Sequence, residues 1–159
     1  MAVVGWAVPV AKAFLAALLA VLLLFQTFSL PGQFAHMAQE DPDQAYLRWP
    51  MTAISVFLVL CVQIVVVATW RLLTLVRDDR IFTARSLVWV DAIIGAVVAG
   101  WSVFFGLFLY VGVQATDPGL PLLMFLLLVG GAVLGLLIVV MRELLRQATT
   151  LRDDMDAVI

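Results

Sequence analysis

The chain has 159 residues, 65% of them hydrophobic and 13% charged, with a mean hydropathy of +1.14, against about 45–50% apolar and about 25% charged in soluble domains. A soluble domain of this size leaves about a third of its chain surface wet, and eleven acids with nine bases cannot cover it, so one membrane domain is expected. The net charge of −2 points to no direct nucleic-acid binding, and a single cysteine, Cys61, excludes an intrachain disulfide, a Cys-rich zinc site and a CxxC redox motif.

Four charge-free runs, 13–35, 49–70, 92–116 and 118–141, contain 23, 22, 25 and 24 residues. A helix needs about 20 apolar residues to cross the hydrocarbon, so each run can span it with some tilt. The expected fold is all-α: a polytopic membrane protein with a four-transmembrane-helix bundle and a C-terminal cytoplasmic helical extension.

Helix 1 is expected over about 10–31, closed by Pro31-Gly32, and its apolar run is too long for a signal peptide. The outer loop, 32–49, holds His36, Met37, Glu40, Asp41 and Asp43. His36 and Glu40 would share a face if this stretch were helical, but one histidine without a second soft ligand reads as a solvated acidic loop rather than a metal site. Helix 2 is expected over about 50–76, with Gln63 near its centre hydrogen-bonding a neighbouring helix.

The inner loop, 77–82, carries Arg77 and Arg80, and helix 3 is expected over about 83–114 with Thr83 as N-cap and Phe82 and Leu87 as a hydrophobic staple. Asp91 lies at or just inside the interface. It is open to three readings: an interhelical ion pair with Arg71 or Arg142, a hydrated headgroup-level acid, or a functional carboxylate. An outer turn, 115–119, contains Asp117-Pro118-Gly119. Glycines recur in helices 3 and 4, and Gly131 and Gly135 form a GxxxG that suits packing within the bundle or, less simply, a dimer interface.

Helix 4 is expected over about 120–146, continuing into a tail, 147–159. Leu137, Met141, Leu144, Ala148, Leu151, Met155 and Val158 recur at spacings of 4 and 3, a heptad stripe that runs past the membrane. It either packs on Leu72, Leu75 and Val76 of helix 2 or docks a second protein or a second copy. Asp153, Asp154 and Asp156 sit at the negative end of that helix dipole, so the last turn frays or a basic partner compensates it.

Eight of the nine basic residues fall on the side that holds the N-terminus, the central loop and the tail. The positive-inside rule makes that side cytoplasmic, with both termini inside, and the expected location is the cell inner membrane. Arg71, Arg77, Arg80 and Arg85 are also placed to touch anionic lipid headgroups, at about 1 kcal/mol each. Four of the five tryptophans flank the spans as belts do, and Trp101, mid-span, is the exception.

The central loop ending in Ile81-Phe82-Thr83 before Arg85-Ser86-Leu87, and the tail from Leu145-Arg146-Gln147 to Asp153-Asp154-Met155-Asp156-Ala157-Val158-Ile159, resemble the bacterial membrane family called domain of unknown function 2975. The resemblance covers most of the chain and implies the four-span architecture. It also implies a small helix-turn-helix regulator as a candidate partner, and it brings no catalytic residues.

Three function classes follow. The first is a non-enzymatic interaction or regulatory module that binds a cytoplasmic protein through Arg77, Arg80, Arg85, Leu144, Ala148, Leu151, Met155, Asp153 and Asp154. The second is a small transporter or channel subunit, acting as a homo-oligomer, for which Gln63 is the one marker of a polar path. The third is an intramembrane enzyme, disfavoured because Cys61 has no ionisable neighbour in its helix and His36 is alone; no catalytic, cofactor or metal residues are assigned.

Overall fold

The computed structural model describes residues 2–158, with side chains for all but Ala2, Val3, Val4, Gln44, Ala45, Leu47 and Arg48. The end of the predicted tail, residue 159, lies outside the described residues. In chain order come α1 (Ala2–Leu24), a π-helical turn (Phe25–Ser29), α2 (Leu30–Glu40), a 3₁₀ turn (Pro42–Leu47), α3 (Arg48–Arg77), α4 (Ala84–Gln114) and α5 (Gly119–Val158). Four helical units are long and apolar enough to cross a membrane: α1 running through α2, then α3, α4 and α5. The protein is therefore an all-α, multi-pass membrane protein with the architecture of a four-helix bundle.

Each span packs on its neighbour in sequence, α1 and α2 on α3, α3 on α4, and α4 on α5. Short connections make those neighbours antiparallel, and residues at matching depth meet across the seams. Lys12 reaches Thr74, Gln26 reaches Gln63, and Trp101 reaches the carbonyl of Leu128. The molecule so acquires an arginine-rich end, formed by the start of α1, the α3–α4 connection and the tail of α5, and an acidic end at the other two connections. Most apolar side chains face outward, where lipid rather than protein covers them. In α5 only Met124, Leu128 and Thr149 are buried.

The first span departs from its predicted end. Helix 1 was expected to stop at Pro31-Gly32 with a loop over 32–49, yet the chain stays helical to Glu40. The π turn explains why. The N–H of Leu30 bonds back to the carbonyl of Phe25, and the Thr27 hydroxyl donates to the carbonyl of Leu23 at 2.8 Å. The ladder is widened just before the proline that cannot donate, and a local π adjustment with Ser/Thr support is how a membrane helix absorbs a proline. His36 and Glu40 are thereby one turn apart on the helix, 3.2 Å from each other and well exposed. The 3₁₀ turn then leads the chain to α3, and beside it the Tyr110 phenol, through charge and hydrogen bonding, raises the pKa of Tyr46.

Small residues set the α4–α5 distance. A Cβ on Gly131 would lie 3.2 Å from Trp101 Cδ1, and one on Gly135 would lie 3.5 Å from Val97 Cγ1. The GxxxG thus packs inside the bundle. It also accounts for Trp101, the tryptophan outside the belts: its ring slots against Gly131 and its indole N–H donates to the Leu128 carbonyl at 2.9 Å. The ring stacks on Phe105 at 5.4 Å, one turn along α4.

Candidate functional site at the arginine-rich end

The backbone of the α3–α4 connection, which carries the arginines, is held by a set of local hydrogen bonds. α3 closes in a Schellman arrangement: Asp79 N–H donates to the Val76 carbonyl at 3.2 Å, and Arg80 N–H to the Leu75 carbonyl at 2.7 Å. Asp79 occupies the left-handed position with φ 57°, where glycine is usual. Thr83 stands at the N-cap of α4, but its hydroxyl makes no cap bond and donates instead to the Arg80 carbonyl at 2.8 Å. Ser86, fully buried, donates to the carbonyls of Ile81 and Thr83 and ties the turn to the first turn of α4. The predicted cap therefore has a different chemistry, because an extended Thr83 points its side chain back along the loop. Phe82, expected as a staple residue, receives the Arg152 guanidinium over its ring at 6.0 Å.

Where α3 ends and α4 begins, an open cavity of about 700 Å³ is lined by Arg71, Thr74, Asp78, Arg80, Arg85 and Trp89, among others. Arg71 lies over the Trp89 ring at 5.7 Å. Neither Arg80 nor Arg85 forms an ion pair with a described residue, and Asp78 pairs with none of the three arginines. At the cavity's edge Lys12 from α1 donates to the Thr74 hydroxyl at 2.8 Å and sits 5.2 Å from the Trp70 ring centre. Three arginines and one carboxylate so line the cavity, with Lys12 bonded to its Thr74 wall.

Asp91 pairs with Arg142 through both guanidinium N–H arms, Nη2 reaching Oδ2 at 3.4 Å. Arg71, the other predicted partner, is not part of that pair. Trp89 and Asp91 are two residues apart, about 200° around the helix, so the face that offers Trp89 to Arg71 turns Asp91 toward α5. The pair is half exposed, which places Asp91 at the solvated edge of the seam.

Beyond Arg142 the tail stays helical to Val158. Glu143 accepts from Arg146 Nε at 2.9 Å and from Gln147 at 3.3 Å, a local network along the helix. Thr149 is the buried face of the tail, and its hydroxyl has no hydrogen-bond partner. The heptad stripe points the other way: Leu144, Leu151 and Met155 are 55%, 63% and 64% exposed, with Ala148 half-buried between them. The expected packing on Leu72, Leu75 and Val76 of α3 does not cover the stripe, since α5 packs chiefly on α4 and Leu144, Leu151 and Met155 stay exposed. Asp153, Asp154 and Arg77 are exposed.

Of the predicted residues, Arg80 and Arg85 come together at the cavity, whereas Arg77 and the tail stripe stand apart from it. Sequence reading had no signal for Thr74, Asp78 and Trp89 as neighbours, since only the turn between α3 and α4 brings them face to face. Among the described residues no group of three His, Cys, Asp or Glu side chains converges.

No curated protein and no solved structure matches the chain. Residues 32–159, from the first turn of α2 through the tail, match the family model described as "Protein of unknown function (DUF2975)", and the chain belongs to that family.

Proposed function

We propose that the chain is a non-enzymatic protein of a bacterial inner membrane, with its arginine-rich end in the cytoplasm, and that it acts as an interaction module through its central loop and tail. The observation that carries this reading is the outward stripe of Leu144, Leu151 and Met155 on the stretch of α5 where Arg142, Glu143, Arg146 and Arg152 replace the apolar run. Covering those three side chains would contribute about 1.5–3 kcal/mol each. The orientation rests on eight of nine basic residues sharing one end.

The partner of best fit is a soluble protein that offers an apolar helix flanked by basic residues. A second copy fits less well: two tails rising from one membrane run parallel, which sets Asp153, Asp154 and Asp156 against their own copies. A basic partner instead meets those acids at the negative helix end. The helix-turn-helix regulator implied by the family resemblance is a candidate of this chemistry. A transport role finds less support, because the central polar groups Gln26 and Gln63 are occupied with each other at 2.8 Å.

Photo-crosslinking from position 151 in cells should trap a basic soluble protein. Once purified, that protein should bind the chain in nanodiscs in a salt-sensitive manner, and Leu151→Glu with Met155→Glu should weaken binding about ten-fold or more with the melting temperature unchanged. Trapping only a second copy would sink the reading, as would binding indifferent to the double variant. On a Cys61→Ser background, labelling from outside should reach a cysteine at position 41 and miss one at 78; the reverse pattern overturns the orientation.

A further inference from the structure

We propose that the cavity between the end of α3 and the start of α4 is a binding site for a phosphate group, presented by an anionic phospholipid of the leaflet that the arginine-rich end faces. The reasoning begins with unspent charge. Arg80 and Arg85 have no ion pair among the described residues, Arg71 is engaged only with the face of Trp89, and Lys12 only with a hydroxyl and the face of Trp70. A ring face and a hydroxyl orient a cation without neutralising it.

The guanidinium groups are of the kind that grips a phosphate by paired N–H donors. The backbone that carries them is also held in place, at Arg80 by the Schellman turn and at Arg85 by an α4 start that the buried Ser86 fixes. The first turn of α4 adds the positive end of its dipole on the same side. Asp78 works against an anion here, leaving the lining with three arginines to one carboxylate.

Depth selects the source. Trp70 and Trp89 are belt tryptophans of this end, and Arg71 to Arg77 spans about 9 Å of helix past Trp70. A cavity at that level meets the phosphodiesters of lipids already in the membrane, and basic pockets between helix ends are where such headgroups settle. A cavity of about 700 Å³, open on one side, has room for a headgroup while the acyl chains stay along the spans. The inference uses no tail residue, and it assigns Arg80 and Arg85 of the central loop to the lipid, so the docking proposal then rests on the tail alone.

The test is thermal unfolding of the delipidated full chain in neutral detergent, with phosphatidylglycerol, phosphatidylcholine or inorganic phosphate added. Phosphatidylglycerol should raise the melting temperature by several degrees over phosphatidylcholine. Arg80→Gln with Arg85→Gln should raise its half-saturating mole fraction about ten-fold, while Arg152→Gln, of the same end but outside the cavity, should leave it in place. Asp78→Asn should shift it the opposite way, and this variant decides the matter if the double variant fails to fold. Equal shifts with both lipids, or no response to Asp78→Asn, overturn the site. A full shift with inorganic phosphate alone keeps the phosphate chemistry and overturns the lipid as its source.

Discussion

The seam between the first span and α3 and the seam between α4 and α5 are made to the same plan. Each has a neutral hydrogen bond at mid-span, Gln63 to Gln26 in the first and Trp101 to the Leu128 carbonyl in the last. Each also has one cation at the arginine-rich end, Lys12 and Arg142. They differ in what the cation meets. Arg142 finds the carboxylate of Asp91, and the last seam closes without net charge. Lys12 finds a hydroxyl and an indole face, and the first seam leaves its positive charge beside a cavity that already has three arginines. Hydrocarbon tolerates neutral donors and acceptors that satisfy each other, so any surplus of charge is confined to the ends. Which seam closes its charge decides which side of the molecule can attract an anion.

The comparison can be broken most forcefully in the hydrocarbon half of the last seam. Gly131→Leu drives a side chain into Trp101, whose ring is 3.2 Å from where the new Cβ would stand. Overpacking of this kind costs about 1–3 kcal/mol, and the Trp101 bond to Leu128 should be lost with it. Unfolding in detergent should show the destabilisation together with a shift in tryptophan emission. An unchanged melting temperature would mean that the seam closes without the glycine.

A smaller loss is expected at the corresponding place in the first seam. Gln63→Leu strands the Gln26 carbonyl oxygen, and interhelical hydrogen bonds of this kind contribute about 0.6 to 2 kcal/mol. Gln26→Leu with Gln63→Leu should recover most of that stability, because no polar group is then left unpaired. Non-recovery would show that the π turn, rather than the pair, is what the glutamines support.

The gentlest test concerns the charged ends. Asp91→Asn should lower the melting temperature modestly, since the pair is half exposed and solvent screens it. Asp91→Arg with Arg142→Asp should restore it at low salt, and high salt should erase the difference. Losing function at full stability would instead mark Asp91 as a working carboxylate.

The spans were legible because charge-free runs of 22 to 25 residues leave few alternatives. The reach of the first span was not. Pro31-Gly32 is a stop signal when read alone, and only the π turn, which depends on backbone geometry and the Thr27 hydroxyl, cancels it. Asp91 was legible as a residue in need of a cation, but the choice between Arg71 and Arg142 depended on helix phase. The tail's period was visible, whereas its outward direction was not, since Thr149 takes the buried face and Arg152 lies over Phe82. The cavity's arginines were legible as headgroup contacts, whereas its walls were not, since Thr74, Asp78 and Trp89 become neighbours of Arg85 only across a turn.

One feature of α5 has a mechanical consequence. Its last glycine is Gly135, and from there to Val158 the helix has neither glycine nor proline. Arg142 is tethered to Asp91 near the membrane edge, and the 16 residues beyond it extend about 24 Å at 1.5 Å each. A stiff rod anchored at such a pivot turns tilt into travel: leaning the span by about 10° carries the far tip about 4 Å sideways. Any change in that tilt, whether from packing or from bilayer thickness, would then appear as a displacement of Met155 and its flanking acids, with no bond broken along the way.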